Sequence, residues 1–220
     1  AAAFKTADNS IMPLQLKMEV RQAAVNPVTG NLILINSQNQ FYTLSQNEMS
    51  KVSVNPPAGL KQVDALNFYN GRMYLLDRSA EQIFRLIQYS GSFASPTQWV
   101  KESLPLNEAV GLTVDTYVYV LKQNGELLKL AAGKQDGAAM VLNVEPTLSS
   151  PTALFTNEKT KNFYILEPSG KRFLVFSKEG ELTSQYHSER FDDLKDLLID
   201  EAGGQAYLLN GAKVYVINIK

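Results

Sequence analysis

One histidine, no cysteine and 22 acidic residues set narrow terms for any chemistry in this 220-residue chain. His187 is the only imidazole. A hydrolytic triad would need it as the base between a serine and an acid. No Gly-x-Ser-x-Gly turn offers the serine, and His187, just past Tyr186, reads as a surface loop residue. One histidine without cysteine cannot assemble a histidine-rich zinc or iron site. The same absence removes disulfides, thiolate ligation and a cysteine nucleophile. A calcium loop of the form Asp-x-Asp-x-Asp-Gly is missing as well. Asp192 and Asp193 are neighbours in sequence, so an extended backbone points them apart, and they read as capping the turn before Leu194. No catalytic residue, metal ligand or cofactor is assigned.

Binding chemistry remains. Arg21, Asp64, Asn107, Glu108, Lys195 and Asp196 are polar or charged, and each stands at the start of an apolar run. Both signs occur among them, which suits a zwitterion, or equally a set of solvated ion pairs. Solvated ion pairs of this kind contribute little by themselves. Their meaning depends on the elements that carry them.

Those elements repeat. The runs NLILINSQNQFYTL, RMYLLDRSAEQIFRL, YVYVLKQNGELLKL, NFYILEPSGKRFLVF and QAYLLNGAKVYVINI share one phrase: an apolar strand ending in a polar residue, a tight turn, and a second apolar strand. Their equivalent positions Ile33, Tyr74, Tyr119, Tyr164 and Tyr207 are 41, 45, 45 and 43 residues apart. A strand-only period in the low forties is the signature of a β-propeller, one blade per repeat. The fold class expected is all-β, a five-bladed propeller filling residues 1–220 as a single domain. Blades are expected at about 21–55, 63–103, 108–145, 150–188 and 194–220. The last lacks an outer strand, and the alternating segment PLQLKMEV at 13–20 is expected to supply it, closing the ring and removing a sheet edge.

In blade two, the outer strand is expected at 99–102 and a loop at 89–98, a stretch rich in serine, glycine and proline. The outer strand of blade three is expected at 140–144, and a short helix near 188–194. Asn26, Asp115, Asn157 and Asp200 end inner strands, where short polar side chains accept backbone hydrogen bonds in the following turn. Asn36, Asp77, Lys122, Glu167 and Asn210 follow the blade tyrosine position by three residues, on the face that carries the blade-to-blade connections. Their chemical variety fits a binding face, and also an unconstrained surface. Trp99 and the blade tyrosines read as packing between sheets.

Composition bounds the partners. Net charge is −1 with both signs well mixed, so there is no electrostatic footprint for nucleic acid. No apolar run approaches the ~18 residues that span a bilayer. The opening AAAFKTADNS shows neither the basic start nor the apolar core of a signal peptide.

The blade-four stretch ALFTNEKTKNFYILEPSGKRFLVFSKEGELTSQY resembles the NHL-type propeller repeat. The stretches QWVKESLPLNEAVGLTVDTYVYVLKQNGELLKLAAGK, YILEPSGKRFLVFSKEGELTSQY and DLLIDEAGGQAYLLNGAKVYVINIK resemble the C-terminal propeller of bacterial membrane proteins. In that family a cytoplasmic phosphatase-like domain of the PPM type is joined through a transmembrane helix to an outer propeller. The resemblance implies an extracytoplasmic, non-enzymatic module that senses or holds a small molecule or a protein. As an isolated domain it is expected to be monomeric. The competing class is a propeller enzyme of lactonase, glycosidase or lyase type, with its site at the channel mouth.

Overall fold

The computed structural model describes residues 2–5, 10–13, 16, 18–45, 48–89 and 92–219, with backbone alone for 2–5 and 10–13. Five antiparallel sheets follow one another along the chain, the blades of an all-β, five-bladed β-propeller. They fall into two compact units, 1–99 and 100–220.

The first unit opens with a hairpin of β1 (Ala2–Lys5) and β2 (Ser10–Pro13), Ala2 lying opposite Pro13. Blade one follows, in the order β3 (Gln22–Val25), β4 (Leu32–Ile35), β5 (Phe41–Ser45), β6 (Glu48–Lys51). Blade two is β7 (Ala65–Tyr69), β8 (Arg72–Asp77), β9 (Gln82–Tyr89), β10 (Ser92–Gln98). Alternate residues of each strand face opposite sides of its sheet. Met73 and Leu75 of β8 therefore pack with Ile33 and Ile35 of β4, joined by Phe84, Leu86 and Phe93.

The second unit holds three blades. Blade three is β11 (Ala109–Val114), β12 (Val118–Lys122) and β13 (Glu126–Ala131), its outer place shared by β14 (Lys134–Gln135) and β15 (Met140–Val141). Blade four is β16 (Ala153–Phe155), β17 (Asn162–Glu167), β18 (Arg172–Ser177), β19 (Leu182–His187). Blade five is β20 (Leu194–Asp200), β21 (Gln205–Asn210), β22 (Lys213–Asn218).

Blade four is buried on both faces. Phe163, Ile165, Leu174 and Phe176 pack with Tyr119, Leu121 and Leu127 of blade three. Tyr164, Leu166, Phe173 and Val175 pack with Leu197, Ile199, Ala206 and Leu208 of blade five. Two buried faces explain the unbroken apolar run Phe163–Leu166, where a half-exposed strand would alternate. Each large side chain so buried contributes about 1.5–3 kcal/mol. Gly111 on β11 has no positive φ. A Cβ there would lie 3.3 Å from the backbone nitrogen of Leu154, so the glycine lets β11 approach β16.

Several local expectations are corrected. Of the expected loop 89–98, Tyr89 ends β9 and Ser92–Gln98 is a strand: β10 pairs with β9 and takes the outer place expected of 99–102, while residues 90 and 91 lie outside the described residues. A bulge between Ala94 and Thr97, with Ser95 at φ 51°, absorbs the serine–proline stretch at a sheet edge, where proline is tolerated. The expected outer strand 140–144 pairs only at Met140–Val141. No helix forms at 188–194, which is a turn in which Phe191 N–H donates to Ser188 O. The strand expected at 13–20 does not complete blade five among the described residues, and that sheet has three strands. Pro13 lies in the β1–β2 hairpin, and Leu16 and residues 18–20 form no strand. Residues 14, 15 and 17 lie outside the described residues. Proline lacks the N–H that a ladder needs, so Pro13 suits the end of a hairpin better than the start of a new pairing.

Candidate functional site

The repeated polar position that ends each second strand is buried, and it binds its own chain. The Asp77 carboxylate accepts N–H bonds from Lys61 (2.6 Å), Gln62 (2.9 Å) and Ala80 (2.9 Å) and the Ser79 hydroxyl (2.8 Å). Glu167 Oε1 accepts the N–H groups of Ser149 (2.6 Å) and Ser150 (3.2 Å), while Oε2 accepts Arg172 Nε at 2.5 Å. Asn210 Oδ1 accepts Asp193 N–H at 2.9 Å, and its amide donates to Arg190 O and Asp192 Oδ1. Lys122 Nζ lies 3.1 Å from Glu108 and 2.8 Å from Glu126. Asn36 Oδ1 closes its own turn by accepting Gln38 and Gln40 N–H.

In blades two to five this side chain pins the incoming connection: 61–62, Glu108, 149–150 or Asp193. The residue type varies because what it must pin varies. A backbone N–H calls for a carboxylate or amide oxygen, while a glutamate side chain calls for an ammonium. Burial alone would raise the pKa of Asp77 and of Glu167. The hydrogen bonds converging on each carboxylate outweigh it, and both lie below their ordinary values. Glu126, with Glu108 behind it, holds the Lys122 ammonium above its ordinary pKa.

The six sequence candidates divide between the units. In the first, Arg21 and Asp64 meet, Nη2 to Oδ1 at 3.3 Å. Asp64 also accepts Gln62 Nε2 (2.6 Å) and Arg78 N–H (2.9 Å), and its side chain is only 6% exposed. Its carboxylate is thus fully engaged by its own chain. In the second unit, Asn107 and Glu108 lie exposed on a single 3₁₀ turn, Leu106–Glu108, and Glu108 reaches Lys122. Lys195 pairs with Asp193 at 2.8 Å, both 55% exposed.

Asp196 differs from the other five. It follows a register shift between Leu194 and Asp196 at the start of β20, a bulge of the kind that re-aims a side chain. Its Oδ1 accepts only the N–H of the adjacent Leu197, and it forms no ion pair among the described residues. The residue remains reachable by water, yet surrounding protein pushes its carboxyl above the ordinary aspartate pKa. An accessible carboxyl without a cation beside it is a ready partner for an ammonium or a hydrogen-bond donor.

The opposite face is built from turn chemistry. Asn26, Asp115, Asn157 and Asp200 accept the N–H groups of Val28, Tyr117, Lys159 and Gly203, as their places in the repeat implied. Two features there were not legible beforehand. Lys178 reaches from blade four to Asp115 Oδ2 of blade three at 2.7 Å, donates to Thr156 Oγ1, and lies 4.6 Å from the centre of the Phe163 ring. Glu201 of blade five accepts bonds from Tyr164 OH (2.8 Å) and Lys161 N–H (2.7 Å) of blade four. Each joins residues tens of positions apart, so no local motif announces it. His187 ends β19, half exposed and 3.7 Å from Glu189. Trp99 packs edge-on against Tyr74, ring centres 5.7 Å apart. Among the described residues, no three histidines or acids gather where they could hold a metal ion.

No protein-family model matches the chain, and no curated protein is similar to it in sequence. Solved structures are similar in fold. A protein from Bacteroides uniformis assigned as a 6-phosphogluconolactonase matches with TM-score 0.66 and 12% identity over 100% of this chain and 74% of its own. Myxococcus xanthus glutaminyl cyclase matches with TM-score 0.62 and 11% identity over 94% of each chain. A chain of the nidogen/laminin complex matches with TM-score 0.61 and 13% identity over 85% of this chain and 71% of its own. At such identities the likeness is one of fold. The same fold carries enzymes and a protein found in a binding complex, so architecture alone does not assign an activity.

Proposed function

We propose that the chain is a recognition module whose connection face in the second unit receives a cationic or zwitterionic group of a small molecule or protein. The observation that carries this reading is Asp196, accessible, confined by protein and without a counter-ion among the described residues. In the same unit, buried Lys122, Glu167 and Asn210 pin the connections, so Glu108 and Lys195 are presented on a preorganised surface. The resemblance to NHL-type repeats and to PPM-linked propellers supports placing the module outside the cytoplasm, tethered to a larger membrane protein. No helix of the described residues is long and apolar enough to cross a membrane. A membrane-spanning segment encoded in the same gene would bear this out.

A second reading has Asp196 as a proton donor, because a carboxyl with a raised pKa is suited to general-acid work. One experiment separates the two. Thermal shift is measured against a panel of amines, amino acids, carboxylates and sugars. Turnover is measured on lactone, ester and glycoside substrates. The recognition reading expects an amine or amino acid to stabilise the wild type, an effect lost in Asp196→Asn and kept in Asn70→Asp, without turnover. Turnover abolished by Asp196→Asn would establish the enzymatic reading instead.

A further inference from the structure

Among the described residues, four of the five blades fill the outer place of the sheet, and blade five does not. Among the described residues, β22 pairs with β21 alone. Ile219 N–H donates to Gly204 O, and the register runs from Gln205 opposite Asn218 to Asn210 opposite Lys213. Antiparallel hydrogen bonds alternate along a strand, so Lys213, Tyr215 and Ile217 bond inward to β21. Val214, Val216 and Asn218 consequently direct their N–H and C=O groups outward, toward a strand position that no described residue fills.

Beside that edge lies a groove of about 430 Å³ between blades four and five, lined by Tyr186, His187, Arg190, Phe191, Tyr215 and Ile217 among others. Its floor is aromatic: Tyr186 stacks on Phe173 at 4.5 Å, and Phe191 meets Tyr215 at 6.0 Å. No acid lines it. The nearby acids are engaged elsewhere, Glu189 by Lys171, Asp192 by Asn210 and Asp193 by Lys195. Arg190 is exposed and in no ion pair among the described residues, so the groove lining carries a cationic side chain and no acid.

From the unpaired edge, the apolar floor and the cationic side chain together, we propose that β22 binds an extended peptide of another protein as the fourth strand of blade five. The peptide alternates β-branched residues and carries an acid at one end. Its backbone completes the ladder, its inward side chains enter the groove, and its acid pairs with Arg190. This is strand addition, in which main-chain hydrogen bonds give affinity and alternate pockets give selectivity. The surface is separate from Asp196, so either proposal can fail without the other.

The test uses the full chain and fluorescein-labelled acetyl-Glu-Val-Thr-Val-Thr-Val-amide as probe, with two controls. One control replaces the acid by lysine, and the other N-methylates alternate backbone amides. Saturable binding by fluorescence polarisation is expected for the acidic probe and not for the N-methylated one. Val216→Pro removes an outward donor without touching the β21–β22 bonds, a substitution tolerated at sheet edges. It should weaken binding about tenfold, the effect of one lost hydrogen bond. Arg190→Glu, on an exposed side chain, should weaken the acidic probe and favour the lysine one, which keeps the test decisive if the proline variant unfolds. Absence of saturable binding to the wild type overturns the proposal. Binding that appears only on deletion of residues 1–20 assigns the edge to the chain's own N-terminal segment, and overturns it too. A dimer by light scattering that is lost in Val216→Pro gives the edge to a second copy, which equally overturns binding of another protein's peptide.

Discussion

Arg172 and Glu167 are 4% and 1% exposed at their side chains, and neither charge would survive there alone. Besides each other, Arg172 holds Gln185 Oε1 (2.7 Å) and Pro146 O (2.6 Å), while Glu167 holds the 149–150 connection. Removing one partner strands the other in the interior. Arg172→Met should therefore cost about 3–5 kcal/mol, by urea unfolding. Arg172→Met with Glu167→Leu should cost less than the two single changes summed, because no uncompensated charge remains. The acidic staples also set a pH dependence. Asp77 and Glu167 have depressed folded pKa values, so their stabilisation is present above the ordinary carboxylate values of 3.8 and 4.5 and is lost as pH falls through the lower folded ones. Unfolding free energy should drop steeply in that acid range. Asp77→Asn should be less stable at neutral pH by roughly 3 kcal/mol, with a shallower acid slope.

Between elements, Lys178 joins the turn after β18 to the turn after β11. Its ammonium faces the Phe163 ring as well as Asp115, so charge and aromatic contact act together. Lys178→Met leaves a mostly buried Asp115 without its cation, and should cost about 1–3 kcal/mol. The loss should be accompanied by faster amide exchange in β11 and β16, while β21 and β22 are unaffected. Gly111 makes the complementary point. Replacing a glycine of ordinary φ by alanine usually stabilises by about 0.4–1 kcal/mol through the unfolded chain. Here the new Cβ meets the Leu154 backbone at 3.3 Å, so Gly111→Ala should instead lower the thermal midpoint.

At the scale of the molecule, the faces between sheets are sealed by aromatic side chains whose phenols stay neutral. Burial raises the pKa of Tyr74, of Tyr119 beside Asp115, and of Tyr164 bonded to Glu201. A raised folded pKa means that stability is full below the ordinary phenol value of 10.0 and is lost as pH climbs beyond it. Of the ten tyrosines, these three should ionise only with unfolding. Ultraviolet difference titration should then show a late, cooperative step coincident with loss of near-ultraviolet circular dichroism. A smooth titration of all ten in the folded state would mean that these faces admit water.

The repeat of apolar runs at intervals of 41 to 45 residues was enough to establish an all-β, five-bladed propeller, because strand period and turn chemistry are local and recur. The turn roles of Asn26, Asp115, Asn157 and Asp200 were legible for the same reason: each bonds two or three residues on. Local pattern failed where edges decide. It read 89–98 as a loop, although a bulge takes Ser95 and Pro96 out of the ladder and lets the residues on either side pair as an outer strand. It also assigned 13–20 to blade five, while Pro13 pairs with Ala2 nearby. The site was hardest to read. Asn36, Asp77, Lys122, Glu167 and Asn210 looked like a variable surface because sequence displays residue type and not burial. Only the tertiary structure shows that the donors awaiting Asp77 and Glu167 lie 15 to 18 residues away, on the incoming connection. The same holds for Asp64 and Asp196, two aspartates at equivalent strand starts. One is neutralised by Arg21 and Arg78 and the other has no cation among the described residues, a difference made by residues 14 and 43 positions distant and by a one-residue bulge.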